Sequence, residues 1–320
     1  MLDTSNVWLW LGFLSFVLGM LALDLGVFHR NAHEVSLKEA AGWSVVWVAI
    51  SLAFNALVYR FIGAQQGVEF LTGYLIEKSL SVDNIFVFVL IFSYFRVPAQ
   101  YQHRVLFWGV LGALVMRAFF IVLGVQLLET FWWMIFVFGG FLIFTGIRMA
   151  FHQDEEIDPD ANPVIRLFKR IMPVTSEYHG QKFLIRDAGK LVATPLLLVL
   201  VLVESTDLLF AVDSIPAILA ISSDPFIVFT SNVFAILGLR ALYFLLAGVM
   251  DKFRYLKQGL AVILVYIGFK MVISHWYHIP TALSLGVIAL VLTIAVVLSL
   301  WANRRDERMA GDAGQNLATK

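Results

Sequence analysis

Glu77-Lys-Ser-Leu-Ser-Val-Asp83-Asn-Ile and Asp207-Leu-Leu-Phe-Ala-Val-Asp213-Ser-Ile are two versions of one phrase in a chain of 320 residues. Each copy lies inside a long apolar run, sets two acids six residues apart and ends in Val-Asp-x-Ile. Two further marks follow in the same order. The run Leu-Gly-Ala-Leu-Val-Met-Arg117 is matched by Phe-Ala-Ile-Leu-Gly-Leu-Arg240, and Gly146-Ile-Arg148-Met149 by Gly268-Phe-Lys270-Met271. Three marks in a fixed order define a three-span unit that occurs twice. A unit with an odd number of spans enters the bilayer upside down the second time. The phrase therefore predicts an inverted repeat, the architecture by which many transporters alternate access around a central site. Chance likeness between Leu-, Val- and Phe-rich helices is a poor explanation, because the marks are ionisable residues, which are rare in spans.

The surrounding composition agrees with membrane residence. Hydrophobic residues make up 60% of the chain and charged residues 14%, with a mean hydropathy of +0.83, whereas a soluble domain carries about 25% charged residues. The reading is an all-α membrane protein with nine transmembrane helices, near 7–28, 40–62, 70–95, 105–127, 131–151, 193–216, 225–250, 257–275 and 281–302. All belong to a single transmembrane domain. Residues 1–69 hold the first two spans, 70–151 repeat one (spans 3–5), 152–191 a cytoplasmic loop, 192–275 repeat two (spans 6–8), 276–303 the last span and 304–320 a cytoplasmic tail. With the N-terminus outside and the C-terminus inside, seventeen Lys and Arg fall in cytoplasmic segments and one, Arg60, in the outer loops. That bias fits the positive-inside rule and a multi-pass protein of the cell inner membrane. The N-terminus, with Asp3 in place of a basic segment, reads as a retained first helix rather than a cleavable signal.

Other features narrow the function. Formal net charge is zero, which gives no case for nucleic acid as a partner; lipid and a metal ion are the partners expected, and protein partners are unspecified. Cysteine is absent, which removes disulfides, thiolate ligands and dithiol redox chemistry. The cytoplasmic loop opens on an acidic run (Asp154, Glu155, Glu156, Asp158, Asp160), which reads as a solvated linker. A short basic amphipathic stretch follows, and then Lys-Phe-Leu-Ile-Arg-Asp187-Ala-Gly-Lys-Leu-Val-Ala, a hairpin turning at Asp187-Ala188-Gly189.

The carboxylates carry the functional argument. Glu77, Asp83, Glu204, Asp207 and Asp213 lie within spans, and Asp24 sits near the inner end of span 1. Each charge near a helix centre costs about 2.5–3.5 kcal/mol on insertion scales, so five cost roughly 12–18 kcal/mol if charged and unpaired. Packing gives no reason to keep them; they must be protonated, paired, or turned to a polar cavity. On an ideal helix Glu77, Ser81 and Asn84 share one face, and Glu204, Asp207, Ala211 and Ser214 form the corresponding stripe. Pro216 withholds a donor from the carbonyl of Val212, so span 6 is expected to be interrupted beside Asp213. The ligand set is oxygen only: the acids, Asn84 and Asn232, the hydroxyls of Ser81, Thr206 and Ser214, and backbone carbonyl. Such sites suit Mg²⁺, Ca²⁺ or Mn²⁺. Lys78, Arg117 and Arg240 also lie within spans and could instead tie the acids into a structural ion-pair network. Met149 and Met271 hold equivalent places and read first as core filling.

Glu-Lys-Ser-Leu-Ser-Val-Asp-Asn-Ile-Phe-Val-Phe (77–88), Val-Glu-Ser-Thr-Asp-Leu-Leu-Phe-Ala-Val-Asp-Ser-Ile-Pro-Ala-Ile (203–218) and Ser-Asn-Val-Phe-Ala-Ile-Leu-Gly-Leu-Arg-Ala-Leu (231–242) resemble the signature segments of the TerC family. The likeness extends to Phe28-His-Arg-Asn-Ala-His-Glu-Val-Ser-Leu-Lys early in the chain. It implies an integral membrane protein related in topology to the lysine exporters. Several members are implicated in exporting Mn²⁺, some in supplying metal to proteins outside the cytoplasm, and one has been described as a redox modulator. Manganese and the outward direction come from this resemblance, not from spacing. The family's acidic positions carry over onto Glu77, Asp83, Asn84, Glu204, Asp207 and Asp213.

The expectation is thus a secondary transporter and not an enzyme, with no resident cofactor and Mn²⁺ as cargo. Glu77, Asp83, Asp207 and Asp213 would form the site, with Glu204 and Asn84 completing or flanking it. Arg117 and Arg240 would balance charge when it is empty, with Ser214 and Asp24 in support. Protons could return through the same acids. The rivals are a transporter of Ca²⁺ or a cationic amino acid, and a non-transport redox or metal-handing protein.

Overall fold

The computed structural model describes residues 4–23, 35–151, 163–187, 189–247, 255–274, 276–277 and 279–318. Within them, the side chains of Leu23, Asp83, Phe86, Asp213 and residues 306–318 lie outside the description. The chain is predominantly helical. In order come α1 (Val7–Leu23), α2 (Leu37–Leu57) running into a π-helical turn at Val58–Ile62, α3 (Ala64–Tyr94), α4 (Ala99–Thr130) and α5 (Met134–Phe151). A short amphipathic α6 (Pro163–Ile171) and a hairpin of β1 (Leu184–Asp187) and β2 (Lys190–Ala193) precede α7 (Pro195–Leu219). The chain closes with α8 (Pro225–Leu237), α9 (Leu239–Leu246), α10 (Leu256–Ile273) and α11 (Thr281–Ala318).

Among the described residues, seven helices are long and apolar enough to cross a membrane. The predicted first and third spans fall on helices that miss this measure. α1 has 17 described residues, and α3 is long enough but carries Glu69, Glu77, Lys78 and Asp83. The same charges that make α3 functionally informative make it a weak span by composition.

Three local expectations compare directly. The hairpin forms where expected, with Asp187 opposite Lys190 and Gly189 in the left-handed region at φ +81°. Its approach is fixed from α3 and α4: Tyr178 Oη donates to the Phe95 carbonyl at 2.7 Å, and the Arg104 guanidinium lies 5.1 Å from the centre of the Phe183 ring. The interruption expected at Pro216 is absent, since α7 continues through it to Leu219. One missing donor near the end of a helix is a small loss, and Ala217, Ile218 and Leu219 are buried against neighbours that hold the last turn in place. The predicted seventh span, 225–250, is present as the apolar run Pro225–Leu246, within which the single residue Gly238 separates α8 from α9.

Packing places the polar residues at mid-depth. Asp207 lies 12 residues from either end of α7, and Glu77 lies 13 residues after the start of α3 and 17 before its end. Apolar clusters enclose that level from both directions. On one side Ile85, Phe88 and Ile91 pack with Leu196, Val199, Leu202 and Leu106. On the other, Ile121 and Val125 pack with Ala211, Ile215, Ile218 and Leu219. Helices α5 and α10 approach through glycines. A Cβ on Gly146 would lie 2.8 Å from the Ala261 carbonyl, and one on Gly268 would lie 2.6 Å from the Gly139 carbonyl. Backbone does not yield as a flexible side chain does. Gly268→Ala is therefore expected to destabilise the protein by about 1–3 kcal/mol through overpacking. Gly140→Ala, with nothing within 4 Å, should leave thermal unfolding in detergent unchanged. Equal melting of the two variants would contradict this packing.

Candidate functional site

Four helices each deliver a polar side chain to one buried point. The α3 stripe supplies Glu77 and Asn84, α7 supplies Asp207 and Ser214, α4 supplies Arg117 and α8 supplies Asn232. Glu77 is 0% and Arg117 2% exposed, so whatever satisfies them is protein rather than bulk water. Arg117 pairs directly with Glu77 Oε1 and also donates to Asp207 Oδ1 at 3.4 Å. Its Nη1 further donates to Ser214 Oγ and Asn232 Oδ1, each at 3.3 Å. Asn232 Nδ2 donates to Glu77 Oε2 at 3.2 Å, and Asn84 Nδ2 to Asp207 Oδ1 at 3.4 Å. One guanidinium is thus shared by two carboxylates, each oriented by an amide. A planar fork with several donors suits that task better than a lysine would.

The arrangement is incompletely satisfied. Asp207 Oδ2, Ser81 Oγ and Arg117 Nε are buried and have no hydrogen-bond partner among the described residues. A cavity of about 50 Å³ adjoins the network, lined by Glu77, Asn84, Arg117 and Ser214, with Met149 among the apolar residues of its wall; Asp207 and Ser81 do not line it. That volume exceeds the roughly 30 Å³ share of one water in the liquid, so one small ion or one water fits. Chemically, the point offers carboxylate, amide and hydroxyl oxygens, with a resident cation already between the acids.

Other predicted residues are placed differently. Glu204 lies one turn before Asp207 on α7, half-buried, with its carboxylate against Gly112 of α4, in the space a Cβ there would take. Arg240 is on α9, and Thr206 donates to the Val203 carbonyl of its own helix at 2.8 Å. Met271 packs in an apolar cluster. Asp24 and the side chains of Asp83 and Asp213 lie outside the described residues. Among the described residues, no three Asp, Glu, His or Cys stand close enough to hold a metal ion.

Two placements were not read from the sequence. Glu69 is buried near one end of α3, where Ser222 Oγ donates to it at 2.6 Å and Gln65 Nε2 at 2.9 Å. Its signal was present: Glu69, Gly73 and Glu77 recur every four residues, extending the stripe by two turns. Lys78, considered as a partner for an acid, instead donates to the backbone carbonyl of Ala235 at 3.2 Å.

The family model described as "Integral membrane protein TerC family" matches residues 62–307, a stretch that includes every residue of this network. The chain belongs to the TerC family. Among its relatives is an "Uncharacterized membrane protein STKORF319" of Myxococcus xanthus, 54% identical over 305 residues, covering 95% of this chain and 96% of that protein. The "Putative membrane-bound redox modulator Alx" of Escherichia coli K12 is 50% identical over 312 residues, covering 95% and 97%. Its namesake in Salmonella typhi is 51% identical over 311 residues, covering 94% and 97%. No solved structure matches the chain.

Removing one member of a buried ion pair strands the other, at a cost of about 3–5 kcal/mol, whereas removing both charges together is often neutral or stabilising. Arg117→Met alone is therefore expected to lower thermal stability in detergent sharply. The triple variant Arg117→Met, Glu77→Gln, Asp207→Asn should recover most of that loss. A triple variant no better than the single one would show that the bridge is not the source of the effect.

Proposed function

We propose that this TerC-family protein is a secondary transporter that exports a divalent metal ion, foremost Mn²⁺, from the cytoplasm. The observation that carries the reading is a buried, unpartnered Oδ2 on Asp207, which Asn84 and Arg117 link to a small cavity that they line with Glu77 and Ser214. In this reading Arg117 is the counter-ion of the empty state. Arriving metal takes over the oxygens of Glu77 and Asp207, and Arg117 reclaims them after release. Asp83 and Asp213 complete the ligand set, and Glu204, one turn away, passes the ion in or out. The donors are hard oxygens, as Mn²⁺, Mg²⁺ and Ca²⁺ prefer. The Met149 thioether on the cavity wall adds a softer contact that favours Mn²⁺ within that group.

The proposed architecture is nine spans in the cell inner membrane, N-terminus outside, with spans 3–5 and 6–8 as inverted repeats. The glycine contacts support the repeat. A shift of 122 residues carries Gly139 to Ala261 and Gly146 to Gly268, and the contacts Gly146 to Ala261 and Gly268 to Gly139 exchange under it. Two units related by an approximate two-fold axis make paired contacts of this kind. Rocking of the units about the α5–α10 seam would expose the site to one side and then the other, with protons returning through the emptied acids.

A second reading follows the printed name of several relatives, a membrane-bound redox modulator, and would make the chain a partner that hands on metal or reducing power. Purified protein in liposomes separates the two, because transport needs no partner. Mn²⁺ uptake into inside-out vesicles is expected to fall by at least about tenfold for Asp207→Asn and Glu77→Gln at equal protein level, the worth of one lost charge-assisted contact. Asp83→Asn and Asp213→Asn should behave alike, and Ca²⁺ or a cationic amino acid should compete weakly. Undiminished flux in all four variants would end the proposal.

A further inference from the structure

Lys78 follows Glu77 on α3, so it points about 100° away around the helix and serves a different neighbour. Its Nζ donates to the carbonyl of Ala235, the third residue from the end of α8. The next two residues lead to Gly238, where α8 stops and α9 begins. A Cβ on Gly238 would lie 2.7 Å from Lys78 Nζ and 3.3 Å from Trp47 Cβ. The ammonium thus occupies the space that the glycine leaves open, with Trp47 of α2 as the opposite wall.

The last carbonyls of a helix lack intrahelical donors and carry the negative end of its dipole. Water satisfies such carbonyls at a surface. At mid-membrane depth it is scarce, and something in the protein must replace it. Around this break the flanking Leu237 and Leu239 are buried and apolar, Arg240 follows on α9, and Lys78 is the cation whose ammonium donates to a carbonyl in the last turn of α8.

The chain contains its own control. In the repeat alignment Gly238 corresponds to Val115 and Lys78 to Leu208. Helix α4 runs through Val115 without interruption, and Leu208 is exposed on the outer face of α7. The break occurs in the copy where a lysine meets a glycine, and not in the copy where a leucine and a valine stand instead.

The same helix α3 also grips α8 one turn earlier, because Asn232 holds Glu77 Oε2. Adjacent residues of α3 therefore hold the site-bearing half of the broken helix at two points. We propose that Lys78 is a tethered cation seated in a monovalent-cation site at the C-terminal end of α8, and that it holds the α8–α9 break while Glu77 exchanges partners. The last clause rests on the transport reading; the cation site itself does not. Lys78 is then a positioning residue, acting through a carbonyl of α8. A free ion of the same class, Na⁺ or a small alkylammonium, should fit the place once the lysine is removed.

Hydrogen–deuterium exchange at the amides of Leu239–Leu242, measured on the full-length protein in nanodiscs, reads the break without requiring transport. Lys78→Ala is expected to speed exchange by about tenfold, as for loss of one charge-assisted hydrogen bond. Added methylammonium or Na⁺ should reverse the change, and choline, too large for the space, should not. Gly238→Ala keeps the lysine but removes its room, so it should show the same acceleration with no rescue by either ion. Unchanged exchange in Lys78→Ala, or acceleration that neither ion reverses, overturns the proposal. Absence of Mn²⁺ flux in the wild type, with the exchange pattern as expected, would defeat the transport reading and leave the cation site standing.

Discussion

A single guanidinium shared between two carboxylates, in a layer with almost no water, is the constraint on which the rest of this structure depends. Glu77 and Asp207 bring two negative charges to mid-depth, and Arg117 answers with one positive charge. Desolvating such ions costs several kcal/mol each, recovered only where geometry and supporting hydrogen bonds are good. Asn84, Asn232 and Ser214 provide that support, which ties α3, α4, α7 and α8 to one point. A scaffold built for stability alone would fill this place with leucine. Asp207 keeps a buried acceptor with no partner among the described residues, and a small cavity lined by Glu77, Asn84, Arg117 and Ser214 adjoins the network.

Much of this was legible because ionisable residues stand out against an apolar background. The matched acids Glu77 and Asp207 sit at equivalent places in the two phrases, and they are the two that Arg117 bridges. Helical spacing put Asn84 and Ser214 on the same faces, and both join the network. The spacing could not say that Arg117 would reach both Glu77 and Asp207. That depends on how four helices lie against one another, which a one-dimensional pattern does not encode. Pro216 shows a related limit: the rule that proline interrupts a helix is local, and close packing of Ala217 to Leu219 outweighs it. The break at Gly238 went unread for the complementary reason. A glycine in an apolar run is ambiguous until its neighbour in space, Lys78, is known.

The two stretches that carry the matched phrases are similar in sequence but not in detail. Helices α5 and α10 meet through small residues at backbone distance. Helix α4 is one continuous rod of 32 residues, whereas the matching stretch around Arg240 is divided at Gly238 into α8 and α9. Outside the centre, Glu69, Ser222 and Gln65 form a separate polar contact between α3 and the turn that joins α7 to α8, two turns from Glu77.

The central claim is that Glu77 and Asp207 exchange Arg117 for a metal ion. Crystals grown with Mn²⁺ and measured at the manganese absorption edge test it most directly. The account predicts an anomalous peak between α3 and α7, within coordination distance of Glu77 and Asp207 oxygens, with the Arg117 guanidinium displaced from both. A structure with Arg117 still bridging the two acids and the manganese signal elsewhere, or nowhere, would contradict it.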